Sequence, residues 1–223
     1  MRARHAAIAS CLWTVFGLFL FLSPVGAQTP DTHQHSFDDA QKWAKVFDDP
    51  QRDAWQKPHQ VIQAFELKPD AVIADIGAGT GYFTLRFAHM VPQGRVYGVD
   101  TEPSMLQHLT QRAQRAGLKN IVAVPAAADD PRLPEAADLI VFVDVYHHIG
   151  NRTGYFDKLR KALRPGGRIA IIDFRLDSPV GPPVSARIAP ERVKSEVESA
   201  GYRLSQSHAF LPNQYFLVFV PGP

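Results

Sequence analysis

The chain has 223 residues, 45% of them hydrophobic and 21% charged, with a formal net charge of +2. That length and composition suit one large globular domain or a domain with appendages, and a charge this close to neutral gives no sign of a nucleic-acid partner. Cys11 is the only cysteine, which excludes an intramolecular disulfide and a cysteine-built metal site.

Arg2, Arg4 and His5 precede an apolar run over residues 6–22, and "SPVGAQTP" follows, with the small residues Val25 and Ala27 at the −3 and −1 positions of a cleavage site before Gln28. The pattern predicts a signal peptide over residues 1–27 and an exported mature chain, periplasmic or extracellular, with no membrane span left. The apolar run is longer than most signal cores, so the alternative is an uncleaved anchor at residues 6–22. Arg2 and Arg4 favour the inner side of a membrane, and both readings place the domain outside the cytoplasm.

Residues 28–60 predict an N-terminal helical cap segment. "FDDAQKWAKVFDDPQRDAWQKP" puts Phe37, Ala40, Trp43, Ala44 and Phe47 on one helical face. Pro58 suits the first turn of the next helix. The segment either packs on the main domain or covers a site as a flap.

From residue 61 apolar strands alternate with amphipathic helices. Strands are expected at residues 71–77, 95–100, 137–145, at "NIVAVPA" and at "RIAIIDF". Helices are expected at "YFTLRFAHM", at "PSMLQHLTQRAQRAG", at "RTGYFDKLRKALRPGG" up to Pro165 and Gly166, and at "APERVKSEVESAG". This alternation predicts a parallel sheet covered on both faces. "YRLSQSHAF" and "QYFLVFV" have no helix between them and are expected to pair antiparallel.

"ADIGAGTG" joins the first of these strands to its helix, and Asp100 ends the second, 19 residues after Gly81. A glycine turn followed by an acidic strand end is the arrangement that meets a ribose-bearing ligand. The spacing is G-x-G-x-G and not the dinucleotide G-x-G-x-x-G. Asp75 beside the loop would repel a pyrophosphate. It suits a ligand with an ammonium, a carboxylate for a helix start and a ribose, as S-adenosyl-L-methionine has.

At this point the chain resembles a known family. "ADIGAGTGYF", "VYGVDTEPSML", "ADLIVFVDVYHHI" and "LRPGGRIAIIDF" are similar, in order and spacing, to the signature segments of class I S-adenosylmethionine-dependent methyltransferases, most of all the ubiquinone/menaquinone-methyltransferase-like small-molecule branch. The resemblance implies a doubly wound, Rossmann-like α/β fold over residues 61–223, with strand order 3-2-1-4-5-7-6 and strand 7 antiparallel. It implies cofactor contacts from Asp75, Gly77, Ala78, Gly79, Gly81, Asp100, Thr101, Met105 and Asp144. For Gly81 the alternative is helix–strand packing, and for Met105 core packing. Where many members carry an adenine-binding Asp, this chain has Ala126 and Ala127, with Asp129 or Asp130 as possible substitutes.

Methyl transfer from a sulfonium needs alignment and exclusion of water, and a base only when the acceptor loses a proton. His147 and His148 follow the fourth strand, where they either supply that base or shape the loop. No third ligand at metal spacing accompanies them. The proline-rich residues 177–190 are expected to run over the same edge, as a substrate wall or as an ordinary long loop. Two functions follow: methyl transfer to a small-molecule or lipid-like acceptor, or an exported S-adenosyl-ligand-binding module without turnover.

Overall fold

The computed structural model describes residues 37–223, so the predicted signal peptide and anchor lie outside the described residues. Three short helices come first: α1 (Ala40–Phe47), α2 (Arg52–Gln56) and α3 (Pro58–Gln63). Asp39 caps α1 by accepting from the Lys42 amide, and Pro58 begins α3, where its missing N–H leaves no bond unmade. The alternating unit follows: β1 (Val72–Ile76), α4 (Tyr82–Met90), β2 (Arg95–Asp100), α5 (Pro103–Arg115), β3 (Ile121–Pro125), β4 (Ala137–Val143), α6 (Arg152–Leu159), β5 (Leu163–Phe174), α7 (Pro190–Ser199), β6 (Tyr202–His208) and β7 (Gln214–Pro221).

The strands form one seven-stranded sheet in the order β3-β2-β1-β4-β5-β7-β6. β1 pairs in parallel with β2 and β4, and β7 runs antiparallel to both β5 and β6. The expected doubly wound Rossmann-like architecture is therefore the observed one. Alternation along the central strands builds two cores. Ile140, Phe142, Ile169 and Ile171 face one way, with Phe156 and Leu159 of α6 and Val193 and Val197 of α7. Leu139, Val141, Ala170 and Ile172 face the other, with Val61, Ile62, Phe83 and Phe87 from α3 and α4. Each fully buried side chain of this size contributes about 1.5–3 kcal/mol.

One expectation needs correction. The helix that begins at Arg152, capped by Asn151, ends at Leu159 and not at Pro165 and Gly166. After one 3-10 turn, Leu163 already pairs with Ala137, so "LRPGG" opens β5. Pairing with the neighbouring strand outweighs the helical spacing of Phe156, Leu159 and Leu163. Residues 177–190 are not part of the cavity lining described below. Arg187 ties them down instead, donating to the carbonyls of Arg175, Leu176, Ser178, Val180 and Pro182.

Candidate functional site

The carboxyl ends of β1, β2 and β4 open into a cavity of about 190 Å³. Its floor is the turn after β1. The Gly77 and Ala78 amides donate to the Val99 carbonyl at 2.8 and 3.0 Å, which fastens the turn to β2. The Gly79 amide donates to Asp100 Oδ2 at 2.8 Å, and the Glu102 amide to Asp100 Oδ1 at 2.9 Å. Two backbone donors thus orient the Asp100 carboxylate, and each oxygen keeps a lone pair for a hydroxyl. Burial raises its pKa, and these backbone donors oppose the rise.

Asp75 sits behind the turn, 3% exposed, accepting from the Thr84 hydroxyl at 2.6 Å. Burial pushes its carboxyl up to about 7; Thr84 opposes the shift, Asp100 adds to it, and Arg52 opposes it. Asp144 follows β4 in a left-handed conformation, φ +60°. Arg52 Nη2 donates to its Oδ2 at 3.0 Å, and the Gln214 amide donates to its Oδ1. Burial pushes Asp144 up to about 7 as well, with Arg52 opposing and Asp173 reinforcing. Its side chain remains 21% exposed, so cavity water screens it more than Asp75.

Asp75, Gly77, Ala78, Gly79, Asp100, Thr101, Met105, Asp144 and His148 all line this cavity. Met105 is also 1% exposed, so it belongs to the core and the cavity together. Gly81 is not among the residues lining it, and its surroundings are tightly packed. Its φ is +90°, and a Cβ there would meet Leu109 at 2.4 Å and Leu85 at 2.6 Å. His147 is not among the lining residues either. Its side chain is buried against Asp173, with Nδ1 2.9 Å from Oδ2. Burial lowers the His147 pKa, but the hydrogen bond and charge of Asp173 outweigh it and hold the imidazole above its ordinary value. Asp129 bonds Lys158 on the surface, and Asp130 pairs with Ala127, so neither reaches the cavity.

The N-terminal strap, residues 37–57, supplies what sequence reasoning did not assign. Phe37, Phe47 and Arg52 line the cavity, with Thr80, Tyr82 and Glu102 from the domain itself. The Arg52 guanidinium lies 4.1 Å from the Tyr82 ring centre and also donates to the Phe47 carbonyl and to Gln56. Lone-arginine placement inside "DDPQRDAW" was the one available signal, an unmatched cation among acids beside a predicted flap. The residues fit the cofactor implied by the sequence. Carboxylates suit an ammonium, a sulfonium and ribose hydroxyls, Arg52 suits a carboxylate, and the buried Thr80 hydroxyl in the cavity wall has no hydrogen-bond partner among the described residues.

The family profile described as "Methyltransferase domain" matches residues 67–209, which is most of the chain. The chain belongs to the methyltransferase-domain family. This methyltransferase domain is of the S-adenosylmethionine-dependent kind, and S-adenosyl-L-methionine is the cofactor it implies. Among curated relatives, trans-aconitate 2-methyltransferase of Paracidovorax citrulli (strain AAC00-1) is 32% identical over 51% of this chain and 42% of its own length. Demethylmenaquinone methyltransferase of Tropheryma whipplei (strain Twist) is 31% identical over 46% of this chain and 41% of its own length. The chain thus spans under half the length of these relatives. A crystal structure of a SAM dependent methyltransferase from Aquifex aeolicus matches with a TM-score of 0.75 at 24% identity, covering 81% of this methyltransferase domain's chain and 97% of that one, a likeness of fold.

Proposed function

We propose that this protein transfers a methyl group from S-adenosyl-L-methionine to a small-molecule or lipid-like acceptor, as the ubiquinone/menaquinone-methyltransferase-like branch does. The observation that carries the reading is the Asp100 carboxylate, aimed by the Gly79 and Glu102 amides at the cavity between the glycine turn and α5. Relatives named for trans-aconitate and demethylmenaquinone support a small acceptor.

Bound in the cavity, the cofactor supplies a methyl group on a cationic sulfur. The chain's own residues do the rest. Asp100 accepts from the ribose hydroxyls, and Gly77, Ala78 and Gly79 let the ligand approach the backbone. Asp75 and Asp144 would face the cationic groups of the ligand, and Arg52 would be the cation beside its carboxylate. Phe37 and Phe47 cover the cavity from the strap. His148, on the cavity wall, is the candidate base for an acceptor that must lose a proton. His147 Nδ1 lies against the Asp173 carboxylate, a contact that positions the loop.

Turnover separates this reading from a binding module without activity. Purified protein, S-adenosyl-L-methionine and a panel of carboxylic, phenolic and quinol acceptors are expected to yield S-adenosylhomocysteine. Tight cofactor binding with no product from any acceptor leaves the binding module. We also propose that residues 1–27 direct export. Their support is the sequence pattern alone, and residues 6–22 as an uncleaved anchor are the other form of the same proposal.

A further inference from the structure

The lining of the cavity is mixed. Asp75, Asp144 and Arg52 are charged, whereas Met105 from α5 and Phe37 and Phe47 from the strap are apolar. Phe37 also packs edge-on against His148, with ring centres 5.8 Å apart.

The strap holds these two rings in place from outside. Trp43 stacks on Phe47 with ring centres 5.4 Å apart and 22° between planes, and it packs against Phe37 at 4.8 Å. Ser104 in the first turn of α5 donates its hydroxyl to the Phe37 carbonyl at 3.4 Å. Asp48, next to Phe47, pairs with Arg112 of α5 at 2.6 Å, and the same guanidinium donates to the Thr80 carbonyl at 2.8 Å. The edge of Phe47 lies 3.6 Å from where a Cβ on Gly79 would stand. Strap, α5 and glycine turn are therefore clamped around one apolar slot.

The turn after β3 brings no polar reader to that slot. Ala126 donates its amide to the Asp100 carbonyl, Ala127 pairs with Asp130, and Asp129 is engaged by Lys158 on the surface.

We propose that Phe37 and Phe47, facing Met105, recognise the cofactor's base by stacking, so that the site reads the flat face of a purine and not its exocyclic amino group. The inference rests on the nucleoside reading of the cavity given above. Stacking tolerates changes in ring substituents because every base offers a π-face. A site that hydrogen-bonds a substrate group rejects the analogue lacking it by about 10,000-fold or more. The two modes of recognition are thus far apart in measurable selectivity.

Calorimetric titration of the full chain with S-adenosylhomocysteine and with its deaminated counterpart, S-inosylhomocysteine, separates them. Wild type is expected to bind both within about tenfold, as stacking allows. Phe37→Ala and Phe47→Ala are expected to weaken both ligands equally, by about 10- to 100-fold, and Phe47→Trp to retain binding. A preference of about 100-fold or more for the adenosyl ligand would place a polar reader in the slot, with Glu102 a lining candidate, and overturn the proposal. Alanine variants that bind like wild type would overturn it too. Should the alanine variants lose their native far-UV spectrum, the wild-type selectivity and Phe47→Trp still decide. Wild type that binds neither ligand overturns the nucleoside reading itself, and this inference falls with it.

Discussion

Burial holds the carboxyls of Asp75 and Asp144 at about 7, so near neutral pH each is protonated about as often as not. A cationic ligand favours the ionised form. Affinity for S-adenosyl-L-methionine is therefore expected to rise with pH through about 7, and each carboxyl contributes up to about tenfold per pH unit below that. Calorimetry near pH 6 in buffers of differing ionisation enthalpy is expected to show protons released on binding; pH-independent affinity between 5.5 and 8 would contradict this. Without ligand the sign for stability is opposite. A raised carboxyl pKa favours the folded state most at acid pH, and that contribution is lost as pH climbs toward about 7. Asp100→Ala is expected to weaken cofactor binding by about 2–3 kcal/mol, the scale of charge-assisted hydrogen bonds, with the far-UV spectrum unchanged. The glycines separate ligand from packing. Gly79 lines the cavity at φ +53°, and Gly79→Val is expected to abolish binding while the domain stays folded. Gly81→Val drives its side chain into Leu109 and Leu85 and is expected to lower the unfolding temperature even without ligand. The reverse pattern would reassign both residues.

Among the elements, α6 and α7 are joined by Glu196. It accepts from Tyr146 Oη at 2.7 Å, Arg152 Nε at 2.6 Å and Arg192 Nε at 2.8 Å. Burial pushes its carboxyl up, but these donors outweigh burial and hold it down to about 2. A depressed carboxylate stabilises above its unfolded pKa of about 4.3, and the contribution is lost as pH falls toward about 2. Glu196→Ala is expected to cost about 2–3 kcal/mol at pH 7 and roughly 4–10 °C in unfolding temperature, with a smaller difference near pH 3. An equal difference at both pH values would show the loss to be one of packing. The same helices mark where sequence periodicity failed. Leu163 reads as the next inward residue of α6, yet it pairs with Ala137 in the sheet. By contrast α4 and β2 fall where alternation and apolar spacing place them, because both are set by local pattern and bounded by glycine and proline.

For the whole molecule, the strap and the sheet edge act together. Its links are Arg52 to Asp144, Gln56 to Gln214, Lys57 to the Phe210 carbonyl and Asp48 to Arg112. Cofactor at about 100 times its dissociation constant is expected to add about 2.7 kcal/mol of stability, read as a rise in unfolding temperature. No rise at that excess would count against the cofactor site. Export belongs to this scale as well. Ala27→Leu is expected to leave a longer, membrane-associated precursor, and the wild-type mature chain is expected to begin at Gln28. A cytoplasmic product retaining Met1 would remove the export proposal.

The order of strands and helices, the glycine turn and the acidic end of β2 were determined by the sequence alone, because each depends on residues close in the chain: alternation, turn glycines and strand-end spacing. Tertiary structure decided the rest. Arg52 and Asp144 are 92 positions apart, and only folding brings them within 3.0 Å. His147 and His148 are neighbours in sequence, yet one is taken up by Asp173 and the other faces the cavity. Phe37 and Phe47 share an apolar pattern with any packed helix, and it is their place over α5 that puts them at the cavity. Side chains that meet across the sheet edge leave no periodic trace in the chain, since their contact is set by where separate elements end.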